Sequence, residues 1–351
     1  MRNLPRIGVV GATGYVGVEL VRLLSGHPGL TLSKLVSHTY VAQRMSDVYP
    51  AFSKIVDLPL EELNPDQLAE SCDLVITALP HGVSATVVPE LLSRGLRVLD
   101  HSGDFRYRDV DSYEKVYQRS HPCPELLKEA VYGLPELYRD EIQKARLVAN
   151  PGCYPTCSLL ALMPLLKNRL IKKEGIIIDA VSGISGAGRK SDVAYSFCET
   201  QESLKAYGVV GHRHTSEIEQ ECGRLAGLSE PLPVTFTPHL APLKRGMLAT
   251  VYTDLMPDRD PSELQSAYQQ AYQNEWFIRL LPSGTSPDTR QVACSNFADI
   301  AVFYDEKTHK VKTLCALDNL GKGAASQAIQ TINLMFGLKE NCGLCLPGQP
   351  L

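Results

Sequence analysis

The sequence predicts an α/β protein built from a doubly wound, mainly parallel sheet and a second domain of the α+β kind. Three observations carry this expectation. RIGVVGATGYVGVELVRLLSGHPG is an apolar strand, a glycine-rich turn and an amphipathic helix that stops at Gly26, His27 and Pro28. Strand and helix patterns then alternate as far as LRVLDHSGDF, which is the signature of a parallel sheet covered by helices. Finally, 351 residues exceed what one hydrophobic core usually supports, so two domains are expected.

Gly11, Gly14 and Gly17 stand three apart between the first strand and helix. Such glycines give a tight turn, close backbone approach to a pyrophosphate, and close helix packing, which makes the domain Rossmann-type and a candidate for binding a dinucleotide. LSKLVS is the second strand, CDLVITALP a later one, SATVVPELLSRG a helix, and LRVLDHSGDF the next strand and its loop. The second strand ends at Ser37 and His38, where a fold selective for NAD would carry an acid on the ribose hydroxyl. Ser37 and Arg44 suit a 2′-phosphate instead, which favours NADP.

ANPGCYPTCSLLALMPLLK sets Cys153 at the start of an apolar helix, with Pro155 in the first turn. A thiol there lies over unpaired N–H groups at the positive end of the helix, which favours its nucleophilic thiolate form. Cys157, one turn further on, is expected in the core. EGIIIDAVSGISGAGRK is a strand opening into a loop whose Ser182, Gly183, Ser185, Gly186 and Gly188 leave amides open to a ligand. YGVVGHRHTSEIEQECGRLAG places His212, Arg213 and His214 ahead of a helix that Thr215 or Ser216 would cap. Its acids, Glu217 and Glu219 among them, are expected to face solvent. VTFTPHLAPLKRGMLATVYTDL and CSNFADIAVFYDEKTHKVKTLCALDNL form a substantially antiparallel sheet with Lys244, Arg245 and Gly246 in a turn. The first domain is assigned to 1–150 and the second to 151–318, with a helix within 319–351 packing back on the first.

Lys plus Arg number 35 and Asp plus Glu 39, a net charge of −4 that offers no general basic field for nucleic acid or anionic membrane. Small molecules are the expected partners. The opening MRNLPRIGVVGATG shows no apolar leader, so a cytoplasmic protein is expected. The ten cysteines are irregularly spaced, and the lone Cys342/Cys345 pair has no second pair at zinc spacing, so no metal is expected.

GATGYVGVELVRLL, the DFR of LDHSGDFRYRD, VYGLPEL, NPGCYPT, SGISGAGR, GHRHTSEIEQ, TPHLAPLKRG and DNLGKGAASQAIQ together resemble the short, single-function N-acetyl-gamma-glutamyl-phosphate reductase family. That family is related to aspartate-semialdehyde dehydrogenase. The chain departs from it at DHSGDFR, where DLSADFR is frequent, and at His38, Cys157 and Ser326. The resemblance implies NADPH-dependent reduction of N-acetyl-L-glutamyl 5-phosphate to the semialdehyde in arginine biosynthesis, with a second domain for catalysis and for assembly of a homodimer or homotetramer. It implies Cys153 as nucleophile and His212 or His214 as acid/base, His212 being favoured. On this basis the cofactor is assigned to Gly11, Thr13, Gly14, Tyr15, Val16, Gly17, Ser37, Arg44, Ser182, Gly183, Gly186 and Asn319, and the substrate to Arg106, Ser185, Arg213, Lys244 and Arg245. Two alternatives stand beside it: reduction of an aminoadipyl phosphate bound to a carrier protein, and a non-enzymatic NADP-binding sensor.

Overall fold

The computed structural model describes residues 4–189 and 191–349, and the chain divides into two units, 1–151 with 324–345 and 152–323 with 346–351. Unit 1 carries strands β1 (Arg6–Val10), β2 (Thr31–Val36), β3 (Leu60–Glu61), β4 (Leu74–Thr77), β5 (Arg97–Asp100), β6 (Val131–Tyr132) and β7 (Leu147–Ala149). They form one parallel sheet in the order β3-β2-β1-β4-β5-β7-β6. The order reverses at β1, so the loop after β1 opens the crevice where ligands of such sheets bind. α1 (Tyr15–Ser25) follows that loop.

The fully buried Val75 and Val98 of the sheet pack with Ala85, Val88 and Leu91, all of which lie on the helix Ser84–Ser93. β4 is therefore buried throughout and β5 from Val98 to Asp100, rather than on alternate residues.

The helix expected within 319–351 is shorter than that span. A π-helical turn, Gly321–Ala325, leads into an α-helix at Ser326–Met335 that packs on α1 and on the helix Pro135–Lys144. Gly337, at φ +66°, ends it, and the Leu338 N–H bonds back to the Asn333 carbonyl at 2.8 Å. This left-handed glycine closes the helix's last turn. Residues 350 and 351 lie outside the described residues.

Unit 2 holds β8 (Ile177–Gly183), β9 (Lys205–Ala206), β10 (Thr235–Ala241), β11 (Met247–Asp254), β12 (Ile278–Leu280), β13 (Ala298–Asp305) and β14 (Lys310–Leu317), in the order β12-β13-β14-β11-β8-β10-β9. The β8/β10 and β12/β13 pairs are parallel and the rest antiparallel. A helix at Cys153–Lys167, here α2, packs against β11 and β14 and also against α3 (Arg213–Leu225) and α4 (Ser262–Tyr272). Enclosed in this way, α2 is buried from Tyr154 through Leu166, which explains its nearly uniform apolar sequence. Cys157 is fully buried in it, as expected, with its Sγ donating to the Cys315 carbonyl at 3.1 Å.

Pro164 inside α2 has no N–H for the Leu160 carbonyl four residues back. The Tyr272 hydroxyl of α4 donates to that carbonyl at 2.5 Å, and the Tyr268 hydroxyl donates to the next, that of Ala161. Tyr272 thus restores the donor that the proline removes, and Tyr268 braces the neighbouring carbonyl, in a helix whose other end carries Cys153.

Candidate active site

Cys153 is the first residue of α2, half-buried, and Gly152 is its N-cap. A methyl group added to Gly152 would lie 2.5 Å from His214 Nε2, so the imidazole rests on the glycine Cα and only glycine fits there. The Gly152 N–H donates to the Glu217 carboxylate at 2.9 Å. His214 and Glu217, three apart on α3, therefore grip the residue immediately before the cysteine. On the other side, a Cβ on Gly323 would stand 2.8 Å from the Cys153 Cβ.

His212 takes a different part from His214. It is itself the N-cap of α3, with its Nδ1 accepting the His214 N–H at 3.1 Å, so neither Thr215 nor Ser216 caps the helix. The reason is geometric: His212 keeps an extended backbone, and its ring nitrogen reaches the donor two residues on, as a capping oxygen would. Its ring packs edge-on against Tyr154, Tyr207 and Phe236. Burial, helped by Arg213, pulls its pKa down to about 4. Glu217 and Glu221 also correct the expectation that the helix acids face solvent, since both are buried in the packing of α3. Glu217 is the site residue that sequence inspection missed; its spacing of three from His214 was the available signal.

The loop after β8 and the turn before β11 close on each other. The Gly183 N–H donates to the Gly246 carbonyl at 2.8 Å, and the Ile184 N–H to that of Leu243 at 2.9 Å. A Cβ on Gly183 would fall 2.9 Å from the Leu243 carbonyl oxygen, which excludes any larger residue. Asn319 joins both pieces, accepting from the Gly246 N–H at 2.8 Å and donating to the Ser185 hydroxyl at 2.9 Å. The Ser182 hydroxyl lies 3.2 Å from where a Gly186 Cβ would stand. Arg245 was expected to meet substrate, yet its Nε lies 2.8 Å from the wholly buried Asp318 carboxylate, which neutralises it. Lys244 and Arg213 are exposed.

In unit 1, Gly11 has φ +86° and no room for a Cβ, which would meet the Ala78 carbonyl oxygen at 2.3 Å. Gly17 is equally tight against the Gly11 carbonyl, at 2.2 Å. Gly14, the N-cap of α1, meets nothing closer than 3.6 Å, so its small size leaves open the space over the helix start. The N–H groups of Tyr15, Val16 and Gly17 head that helix, an arrangement that receives anions. Thr13 and Ser37 share a hydrogen bond of 3.1 Å between hydroxyls, and Tyr49 holds the Thr13 carbonyl at 2.8 Å.

Arg44 is exposed and ion-paired with Asp57. Arg106 departs further from the expected substrate role: it is buried, with Nε on the Asn150 carbonyl at 2.8 Å and Nη2 on the His101 carbonyl at 2.9 Å. It braces the backbone at the ends of β5 and β7.

The residues fit a dinucleotide: an open glycine over a helix N-terminus, hydroxyls at the end of β2, and no acid at Ser37. Among the described residues no helix is long and apolar enough to cross a membrane.

Comparison with known proteins gives matches over nearly the whole chain. Residues 6–145 match the semialdehyde dehydrogenase NAD binding domain and 153–319 the semialdehyde dehydrogenase dimerisation domain. The N-acetyl-gamma-glutamyl-phosphate reductase of Acetivibrio thermocellus is 53% identical, the alignment covering 97% of this chain and 98% of that one. That of Desulforamulus reducens is 49% identical, over 98% and 99%. Among solved structures, aspartate semialdehyde dehydrogenase II of Vibrio cholerae, complexed with ASA, superposes with a TM-score of 0.73 at 17% identity, covering 95% of this chain and 99% of that one. The Candida albicans aspartate semialdehyde dehydrogenase with NADP gives 0.69 at 16%, over 97% and 100%. At such identities these two likenesses establish the fold alone.

Proposed function

The chain belongs to the N-acetyl-gamma-glutamyl-phosphate reductase family, and from that premise we propose how its residues carry out the reaction. It is an NADP-dependent oxidoreductase of arginine biosynthesis, reducing N-acetyl-L-glutamyl 5-phosphate to N-acetyl-L-glutamate 5-semialdehyde and phosphate. The observation that carries the mechanism is the His214 imidazole seated on Gly152, one residue before Cys153.

The Cys153 sulfur attacks the acyl carbon, the carbon–oxygen bond to phosphate breaks, and a thioester on Cys153 results. NADPH, when bound, would supply the hydride for reduction of the acyl carbon. N–H groups at the head of α2 stabilise the negative oxygen on that carbon. His214 holds and returns the proton as the thiohemiacetal collapses to aldehyde and frees the sulfur. His214 takes this role rather than His212, which is committed to capping α3 and is held neutral by burial. Glu217 positions the pair by fixing Gly152.

Unit 1 binds the cofactor through Gly11, Thr13, Gly14, Tyr15, Val16, Gly17 and Ser37, with Arg44 able to reach a 2′-phosphate by leaving Asp57. In unit 2 we assign Ser182, Gly183, Gly186 and Asn319 to contacts with the cofactor, and Ser185, Arg213 and Lys244 to the substrate. The match of 153–319 to a dimerisation domain supports an oligomer; we take it to be a homodimer or homotetramer and place its work in the cytoplasm. Light scattering that showed only monomer at working concentration would contradict the assembly.

The deciding assay runs in reverse, with phosphate and NADP, offering N-acetylglutamate semialdehyde against aspartate semialdehyde. A site that hydrogen-bonds a neutral acylated amine leaves those groups unpaired against a free ammonium. Preference for N-acetylglutamate semialdehyde is expected. Preference for aspartate semialdehyde overturns the substrate, and activity with neither points to a carrier-bound acyl group.

A further inference from the structure

His101 and Asn150 stand side by side at the carboxyl edge of the unit 1 sheet. Asp100 and Ala149 are register partners on β5 and β7, so the residues that follow them leave the sheet together. The Asn150 N–H donates to the Asp100 carbonyl at 2.7 Å, and that of His101 to Thr77 at 2.9 Å, which fixes both backbones. Asn150 is wholly buried.

The chemistry of its neighbours settles the orientation of its amide. Asn150 Nδ2 lies 3.2 Å from the Ala324 carbonyl oxygen and 3.3 Å from His101 Nδ1. A carbonyl can only accept, so the nitrogen must face it, and His101 Nδ1 must then accept as well. The imidazole proton therefore sits on Nε2. Burial, with Arg106 nearby, draws His101 down to about 3, so the ring stays neutral at physiological pH.

Two polar atoms are left over. Among the described residues of the unit, neither Asn150 Oδ1 nor His101 Nε2 has a hydrogen-bond partner, and both are buried. One is an acceptor and the other a donor, each separated by a single carbon from the nitrogen of its own side chain that makes the Asn150–His101 contact. A buried polar atom without a partner costs stability, so a donor and an acceptor left over side by side call for a partner that supplies both. A phosphate presents only acceptors and would repel Oδ1. A carboxamide or a hydroxyl offers both a donor and an acceptor.

The strand order says which part of a ligand arrives there. With pyrophosphate at Gly11–Gly17 over β1 and the adenosine half toward Ser37 at the end of β2, the other half runs across β4 toward β5 and β7. β5 lies two strands from β1, about 10 Å, and β7 three, about 14 Å, so the pair stands on the side of the sheet toward which that half runs. We propose that His101 Nε2–H and Asn150 Oδ1 form a donor and acceptor pair for the nicotinamide half of the dinucleotide, taking either its carboxamide or its ribose hydroxyls. The proposal rests on the cofactor assignment above and adds a positioning contact to it.

The test is calorimetric binding to the full chain, without turnover. NADPH, its 3-acetylpyridine analogue and 2′,5′-ADP, which lacks the nicotinamide half, are titrated into wild type, His101→Leu and His101→Gln, with thermal unfolding of each variant as a folding check. His101→Leu is expected to weaken NADPH about tenfold and to leave 2′,5′-ADP within about twofold, with His101→Gln recovering part of the loss by supplying an amide N–H. If the carboxamide is the partner, the acetylpyridine analogue, which has a methyl in place of the amide NH₂, binds wild type more weakly than NADPH does. If a ribose hydroxyl is the partner, the two bind alike. Unchanged NADPH affinity in a folded His101→Leu, or equal weakening of NADPH and 2′,5′-ADP, overturns the pair. Wild type that binds neither nucleotide overturns the cofactor assignment itself.

Discussion

At Gly152, a single hydrogen in place of a methyl group lets a histidine lie against the backbone beside Cys153. That contact separates the chemical roles of neighbouring residues more sharply than their spacing could. Cys153→Ala removes the only group proposed to bond to the acyl carbon, so turnover should fall by on the order of a thousandfold or more, while the NADPH dissociation constant stays within about twofold. Retained turnover in a stopped assay would end the covalent proposal. Gly152→Ala is the more discriminating change: its Cβ would sit 2.5 Å from His214 Nε2 and must displace either the ring or the turn. Its kcat should drop about a hundredfold with NADPH binding intact, because misplacement by about an ångström costs that much. Cys157→Ala should keep most activity and lose about 1–2 kcal/mol of stability, as expected for a small buried group with one hydrogen bond.

Among the elements, α2 shows how a helix that presents a nucleophile is held although its sequence breaks a helix rule. Pro164 leaves the Leu160 carbonyl without its intrahelical donor, and the Tyr272 hydroxyl supplies one across the packing of α4 on α2. Tyr272→Phe keeps the ring and strands a buried carbonyl, so about 1–2 kcal/mol should be lost, seen as a lower thermal midpoint. A midpoint equal to wild type would mean that the carbonyl finds another donor. The elements themselves were largely legible in the sequence, because strand and helix periods and the glycine turn are local signals. The start of α2 at Cys153 was legible for the same reason. What could not be read was pairing across distance: Arg245 with Asp318, Arg106 with backbone carbonyls, Glu217 with Gly152. Each depends on which loop folds against which, and a charged residue in a loop looks alike whether it meets a ligand or a buried partner. The capping of α3 by His212 escaped for a narrower reason, since a ring nitrogen rarely replaces a serine or aspartate oxygen at that position.

For the whole molecule, buried polar groups tie stability to pH, and the sign follows from where each proton is bound. His212 is held down to about 4 and His101 to about 3, both chiefly by burial, and His27 is lowered for the same reason. In the unfolded chain these imidazoles take up protons near pH 6.5. Between that value and the folded ones the unfolded state binds more protons, so their contribution is complete above pH 6.5 and is lost as pH falls toward 4. Asp100 acts in the opposite direction: burial raises its pKa, so the folded state takes its proton first. The net slope therefore mixes signs, and a difference between variants isolates one group. His212→Asn is suited to this because an asparagine oxygen can still cap α3 through the His214 N–H. Urea midpoints measured from pH 7.5 to 4.5 should show wild type losing stability relative to the variant as the solution is acidified, the gap opening below about pH 6.5. Parallel curves across that range would mean that His212 is as easily protonated in the folded protein as in the unfolded chain, and the geometry that reserves proton transfer for His214 would lose its support.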